Sequence, residues 1–311
     1  MLGAVDLGLI NGLMALGVYL TFRILNFADL TVDGSFVTGA AVVAAGIVAG
    51  WPPLLATAAG CLAGCLAGAV TGLLNTVGDI NPLLAGILTQ IALYSINLRI
   101  MGRSNISLLG QSTLLSSLRP FSSWQSVTLF AVVAVVFWLA LTWFLGTNAG
   151  LGMQAAGDNE TMARAQGTAS KGMVVGGLAL SNGLVALSGG LLAQYNGFAD
   201  IQIGIGTIVA GLASVIIGQA IFGARPVWRG ALAAVLGSVV YRAVIQLALG
   251  MGLKSTDMKL ISAILVVAAL LIPRLPVFQR FARARHEREI AKQVLADDLA
   301  RVTAAKAVAD G

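Results

Sequence analysis

The sequence predicts an all-α fold, a polytopic bundle of transmembrane helices, and three observations predict it. Of 311 residues, 58% are hydrophobic and only 10% charged, a balance suited to lipid as solvent. Several uncharged runs reach the about 20 residues needed to cross a hydrocarbon core of roughly 30 Å. Glycine is abundant, at 38 residues, as expected where helices must approach closely because lipid supplies little hydrophobic drive between them.

Taken in order, the first expected span covers residues 7–22. It lacks the basic leader and small-residue cleavage site of a removed signal, so it reads as a retained helix. A polar connection over 26–35 carries Asp29 and Asp33 and leads into a second, short run over 35–50. The third span, 54–77, places Gly60, Gly64, Gly68 and Gly72 at every fourth position and therefore on one face, a seam for close helix packing. Cys61 and Cys65 on the same helix are badly placed for a disulfide. With no His or acidic neighbour they make a poor metal site, so they read as small packing residues.

Spans over 82–98 and 125–145 follow, then a polar and charged island around 156–167, then a span over 172–194. A seventh run covers 201–224, although the polar stretch 195–202 and the glycines Gly204, Gly206 and Gly211 fit a broken or re-entrant helix there. The eighth run, 230–250, is interrupted by Arg242, and a ninth covers 260–273. The expectation is about nine spans, some short or broken. They form a membrane domain over 1–273 with a cytoplasmic loop at 146–171. A basic amphipathic tail over 274–311 lies on the inner leaflet or in the cytoplasm.

Basic loops stay cytoplasmic. With the N-terminus out and the C-terminus in, 13 Lys and Arg fall inside and only 5 outside, those being Arg99, Arg103, Arg119, Lys254 and Lys259. The net charge of +6 is then explained by loops facing anionic headgroups, and nucleic acid is not an expected partner.

Polar side chains in the spans are candidates for a translocation path: Asp29, Asp33, Asn81, Gln90, Tyr94, Asn97 and Arg242. Asn75, Asn182, Gln194, Gln219 and Gln246 are further ones, although interhelical hydrogen bonds explain such side chains equally well. Asp29 and Asp33 either solvate an ordinary turn or sit near the membrane, satisfied by water, Arg or backbone N–H groups. Arg242 needs a cavity or a carboxylate, and both an ion pair with Asp29 or Asp33 and contact with an anionic solute fit.

Catalytic and nucleotide-binding motifs are missing. Gly252-Leu253-Lys254-Ser255 has Leu where a P-loop needs glycine before Lys, and Gly204-Ile205-Gly206 lacks the third glycine of a dinucleotide fingerprint. His286 is the single histidine, which argues against His-based metal sites and a Ser–His–Asp triad. The Asp29 and Asp33 spacing resembles part of a phospholipid-synthase motif whose further acidic residues are absent. The chain therefore reads as no enzyme, with no metal site.

The island Gly157-Asp158-Asn159-Glu160-Thr161-Met162-Ala163-Arg164-Ala165-Gln166-Gly167 resembles the G-x-N-x-x-x-A-R-x-x-G loop of permease subunits of bacterial ATP-binding-cassette importers of the branched-chain amino acid and ribose type. Leu25-Asn26-Phe27-Ala28 looks like that family's motif after the first span. DLTVDGSF looks more like a subgroup paired with periplasmic proteins for aromatic amino acids or related small solutes. The resemblance implies a multi-pass inner-membrane subunit, paired with a second copy of itself. ABC ATPase subunits would bind beneath it and a periplasmic binding protein would deliver solute from above. It implies no cofactor on this chain, with ATP and Mg on the partner ATPase. It makes Gly157, Asp158, Asn159, Glu160, Ala163, Arg164 and Gly167 the coupling residues. A secondary transporter or channel working without an ATPase is the alternative.

Overall fold

The computed structural model describes residues 2–116, 124–251 and 258–271. In chain order the elements are α1 (Leu2–Tyr19), which continues through a π-helical turn (Leu20–Ile24), α2 (Thr31–Val48), α3 (Pro53–Thr76), α4 (Pro82–Met101) and β1 (Asn105–Ser107). After these come α5 (Trp124–Leu145), α6 (Asn148–Asp158), α7 (Glu160–Ala165), α8 (Ser170–Asn196), β2 (Phe198–Asp200), α9 (Thr207–Phe222), α10 (Val227–Gly250) and α11 (Met258–Leu271). Seven helices among the described residues are long and apolar enough to span a membrane: Leu2–Ile24, α2, α3, α4, α5, α8 and α10. α9 is apolar but has 16 residues, and α11 has 14. The chain divides into units at 1–266 and 267–311, and the bundle belongs to the first. The expected tail, 274–311, lies outside the described residues, as does Arg119.

α8 is the axis of the bundle, buried from Ser181 to Gln194. α3 lies along it through the glycine seam. A side chain at Gly64 or Gly68 would collide with the carbonyls of Asn182 and Leu178, one at Gly72 would press on Val175, and one at Gly60 would press on Val43 of α2. Ser181 and Ser188 of α8 donate to the carbonyls of Gly17 and Ile10 of α1 at 2.7 and 2.8 Å. The core gathers where these helices meet, around Leu13, Leu16, Tyr19, Phe36, Leu178 and Val185. α9 and α10 form a second close pair, with Gly218 under the Ala233 carbonyl and Gly237 under that of Ser214. α5 buries only a stripe, Ser126, Phe130, Ala134, Leu141 and Leu145, flanked by half-buried Val133 and Phe137, and exposes its opposite face, as a lipid-facing helix does.

Two expected boundaries are corrected. Residues 201–224 are not one span: 201–206 form turns and helix begins at Thr207. Gly206 takes φ +86°, and Gly204 presses so closely on the Asp33 carbonyl that a side chain would not fit. The connection after the first span is also shorter than 26–35, because Thr31 already opens α2 and puts Asp33 in its first turn. A further element was absent from the sequence reading, an antiparallel ribbon pairing Asn105 with Asp200 and Ser107 with Phe198. It ties the C-terminal end of α4 to that of α8. Since α7 precedes the N-terminus of α8, the ribbon and the 146–171 segment occupy opposite ends of the bundle's central helix.

Candidate functional site

A cavity of about 410 Å³ opens between the first turns of α2, one face of α4 and the turn before α9. Four expected path residues line it: Asp33, Gln90, Tyr94 and Asn97. Gln90, Tyr94 and Asn97 share it because positions three and four apart project from one side of α4. Tyr94 keeps 53% of its surface exposed, so its ring stands at the rim.

Asp33 forms the polar floor. One carboxylate oxygen accepts from the Thr207 hydroxyl at 2.9 Å and the Ile208 N–H at 2.7 Å. The other accepts from the Gly206 N–H at 3.0 Å. The Gly206 and Ile208 N–H groups are ones that the start of α9 leaves without an intrahelical acceptor, and the negative charge suits that end of the helix dipole. α2 thus caps a helix 173 residues away. Asn97 donates to the Gly34 carbonyl at 3.3 Å, while its buried Oδ1 has no hydrogen-bond partner among the described residues.

The remaining path candidates sit elsewhere. Asp29 is 0% exposed and accepts from the Thr31 N–H at 2.9 Å and from the Asn182 amide at 2.7 Å. Asn81 caps α4 at an exposed position, accepting from the Leu83 N–H at 3.0 Å. Arg242 lines a second cavity beside Asn11 and Thr207. Its expected ion pair with Asp29 or Asp33 is not made among the described residues; those carboxylates are instead satisfied by backbone N–H groups and Asn182. Asn75 and Gln194 make interhelical or local bonds, to the Ile80 carbonyl and to Thr57.

The polar island is two helices. α6 rests on the end of α1: a side chain at Gly157 would strike the Ile24 carbonyl, and one at Gly177 would strike both Leu25 and Met153. Asn159 caps α7, accepting from the Met162 N–H at 3.0 Å. Arg164 pairs with Glu160 at 2.6 Å and donates from Nε to the Ser170 hydroxyl at 2.8 Å. Ser170 in turn donates to Glu160 at 3.2 Å, so this triad ties α7 to the start of α8. Ala163 is buried beneath α7, and Gly167 takes φ +81° to turn the chain into α8. Asp158, Thr161 and Met162 face outward, Met162 with 64% of its surface exposed.

The segment 25–30 leads from this seat to the cavity. The π-helical turn closes with the Leu25 N–H donating to the Leu20 carbonyl at 3.0 Å, and Asn26 takes the left-handed φ of 51°, which Asn tolerates better than most residues. Asp29 then docks on α8, and α2 starts toward Asp33. Sequence reasoning missed Thr207, Ser170 and Met162. It also missed Asp6, fully buried in α1, which accepts from Ser126 at 2.9 Å. Asp6 was legible as an acid within an apolar helix; the contacts of Thr207 and Ser170 depend on chain folding.

A protein family described as the permease component of branched-chain amino acid transport systems matches residues 1–271. A tyrosine transport system permease protein of Clostridioides difficile is 39% identical over 262 residues, 84% of this chain and 87% of that protein. An uncharacterized protein of Rickettsia prowazekii is 38% identical over 181 residues, 58% of this chain and 63% of that protein. No solved structure matches.

Proposed function

We propose, because this chain belongs to the family of branched-chain amino acid transport permeases, that it forms the pathway through which an ATP-binding-cassette importer carries a small solute, an amino acid or similar. It is a multi-pass inner-membrane transport subunit. The solute arrives from a periplasmic binding protein. The tyrosine transport permease of Clostridioides difficile, the relative described above, supports an aromatic amino acid or a related small solute. A separate ATPase holds ATP and Mg and grips α6 and α7 from the cytoplasm, which sets the N-terminus out and the C-terminus in. Two copies of the chain complete the pathway.

The observation that carries this reading is the seat of α6 on Ile24 and Leu25, from which 25–33 runs to the wall of the larger cavity. Closure of the ATPase pushes α6 against the end of α1. Buried, close-packed helices transmit the push as a rigid-body shift, which moves the first turn of α2 and, through Asp33, the N-terminus of α9. The cavity between them then changes access. The test is copurification in mild detergent: a P-loop ATPase recovered in stoichiometric amount with this chain supports the assignment, and recovery of the chain alone in full transport activity refutes it.

A further inference from the structure

The second cavity, of about 230 Å³, holds a cation, Arg242, with which no acidic side chain pairs among the described residues. Arg242 lies within α10, eight residues before its end, and its guanidinium is charged at any physiological pH. Its buried Nε has no hydrogen-bond partner, and no acidic side chain pairs with it among the described residues. Asp33, across the 201–207 turn, is committed to Gly206, Thr207 and Ile208. Asp6, next to the cavity wall at Leu7, is held by Ser126. An ionised guanidinium inside a membrane bundle requires an anion or water at its fork.

The walls point to the kind of anion. Asn11, 5% exposed and without a side-chain hydrogen bond among the described residues, faces the cavity with Asn196. Leu7, Phe36 and Leu192 make an apolar side. At roughly 30 Å³ per water the space exceeds what one monatomic ion needs. A carboxylate matches the guanidinium fork with two parallel hydrogen bonds, the amides bind its remaining lone pairs, and the apolar side takes a short carbon body. We infer that this cavity is a binding site for a small carboxylate, with Arg242 as its anchor and Asn11 as its second contact. The site stands whether or not an ATPase drives the chain.

The test is equilibrium dialysis of the purified full-length protein in phosphatidylcholine nanodiscs against radiolabelled acetate. Wild type is expected to bind saturably at one site per chain, and Arg242→Gln to bind at least about tenfold more weakly, the loss typical of a charge-assisted bidentate pair. Should Arg242→Gln fail to fold, Arg242→Lys and Asn11→Leu keep the charge in place, and each is expected to bind more weakly than wild type. Displacement of acetate by an equal concentration of chloride overturns the proposal, because the site then selects charge alone and not a carboxylate. No saturable binding, or wild-type affinity in all three variants, overturns the proposal. Loss of acetate binding when phosphatidylglycerol replaces phosphatidylcholine also overturns it, because the guanidinium then serves a lipid headgroup instead.

Discussion

Asp33 is the residue on which the larger cavity depends, because three donors from one helix end converge on it. Asp33→Ala leaves two backbone N–H groups without an acceptor, at a cost of about 1–3 kcal/mol. Chemical denaturation in detergent should show that loss, and a smaller one for Asp33→Asn, which retains an acceptor. The glycine seam gives a second prediction. Gly68→Ala sets a methyl group against the Leu178 carbonyl and should cost about 1–3 kcal/mol by overpacking. Gly176→Ala, which meets no atom within 4 Å, should be neutral or slightly stabilising in the same assay. The seam was legible in the sequence because regular spacing survives without a structure. The partner of Asp33 was not, since only folding brings Gly206 to α2. Arg242 was legible as an anomaly, and the absence of an acidic partner for it among the described residues was not.

At the scale of elements, α7 is held by contacts that a substitution can remove without unfolding the bundle. The Glu160–Arg164 pair is exposed on both sides, so its contribution to stability is at most about 1 kcal/mol. Arg164→Glu should therefore insert normally, while ATP-dependent uptake falls by an order of magnitude or more. Normal uptake by that variant would remove α7 from the coupling path. Met162→Asp, which puts a charge in place of the exposed large apolar side chain of α7, should do the same if the ATPase cleft has an apolar floor. The helices themselves were legible from hydropathy. The break before α9 was half legible: the polar stretch and glycines marked it, but the apolar residues Ile201, Ile203 and Ile205 extended the span across it. The β1–β2 ribbon was hidden, because strands of three residues carry too little periodicity to recognise.

At the scale of the molecule, α6 and α7 lie at the N-terminal end of α8 and a short ribbon at its C-terminal end, with the cavities among the helices between. The proposed orientation predicts that a Met162→Cys variant in intact cells resists a membrane-impermeant thiol reagent and reacts with it in inside-out vesicles; labelling in intact cells would reverse the topology. The central claim is that a separate nucleotide-hydrolysing subunit drives transport by moving α6 and α7. Its most direct test is solute uptake into proteoliposomes holding this chain with and without its copurified ATPase and binding protein. The account predicts uptake only with the full assembly and hydrolysable ATP inside reach of the ATPase. Full-rate uptake by this chain alone, driven by an ion gradient or by the solute's own gradient, would contradict it.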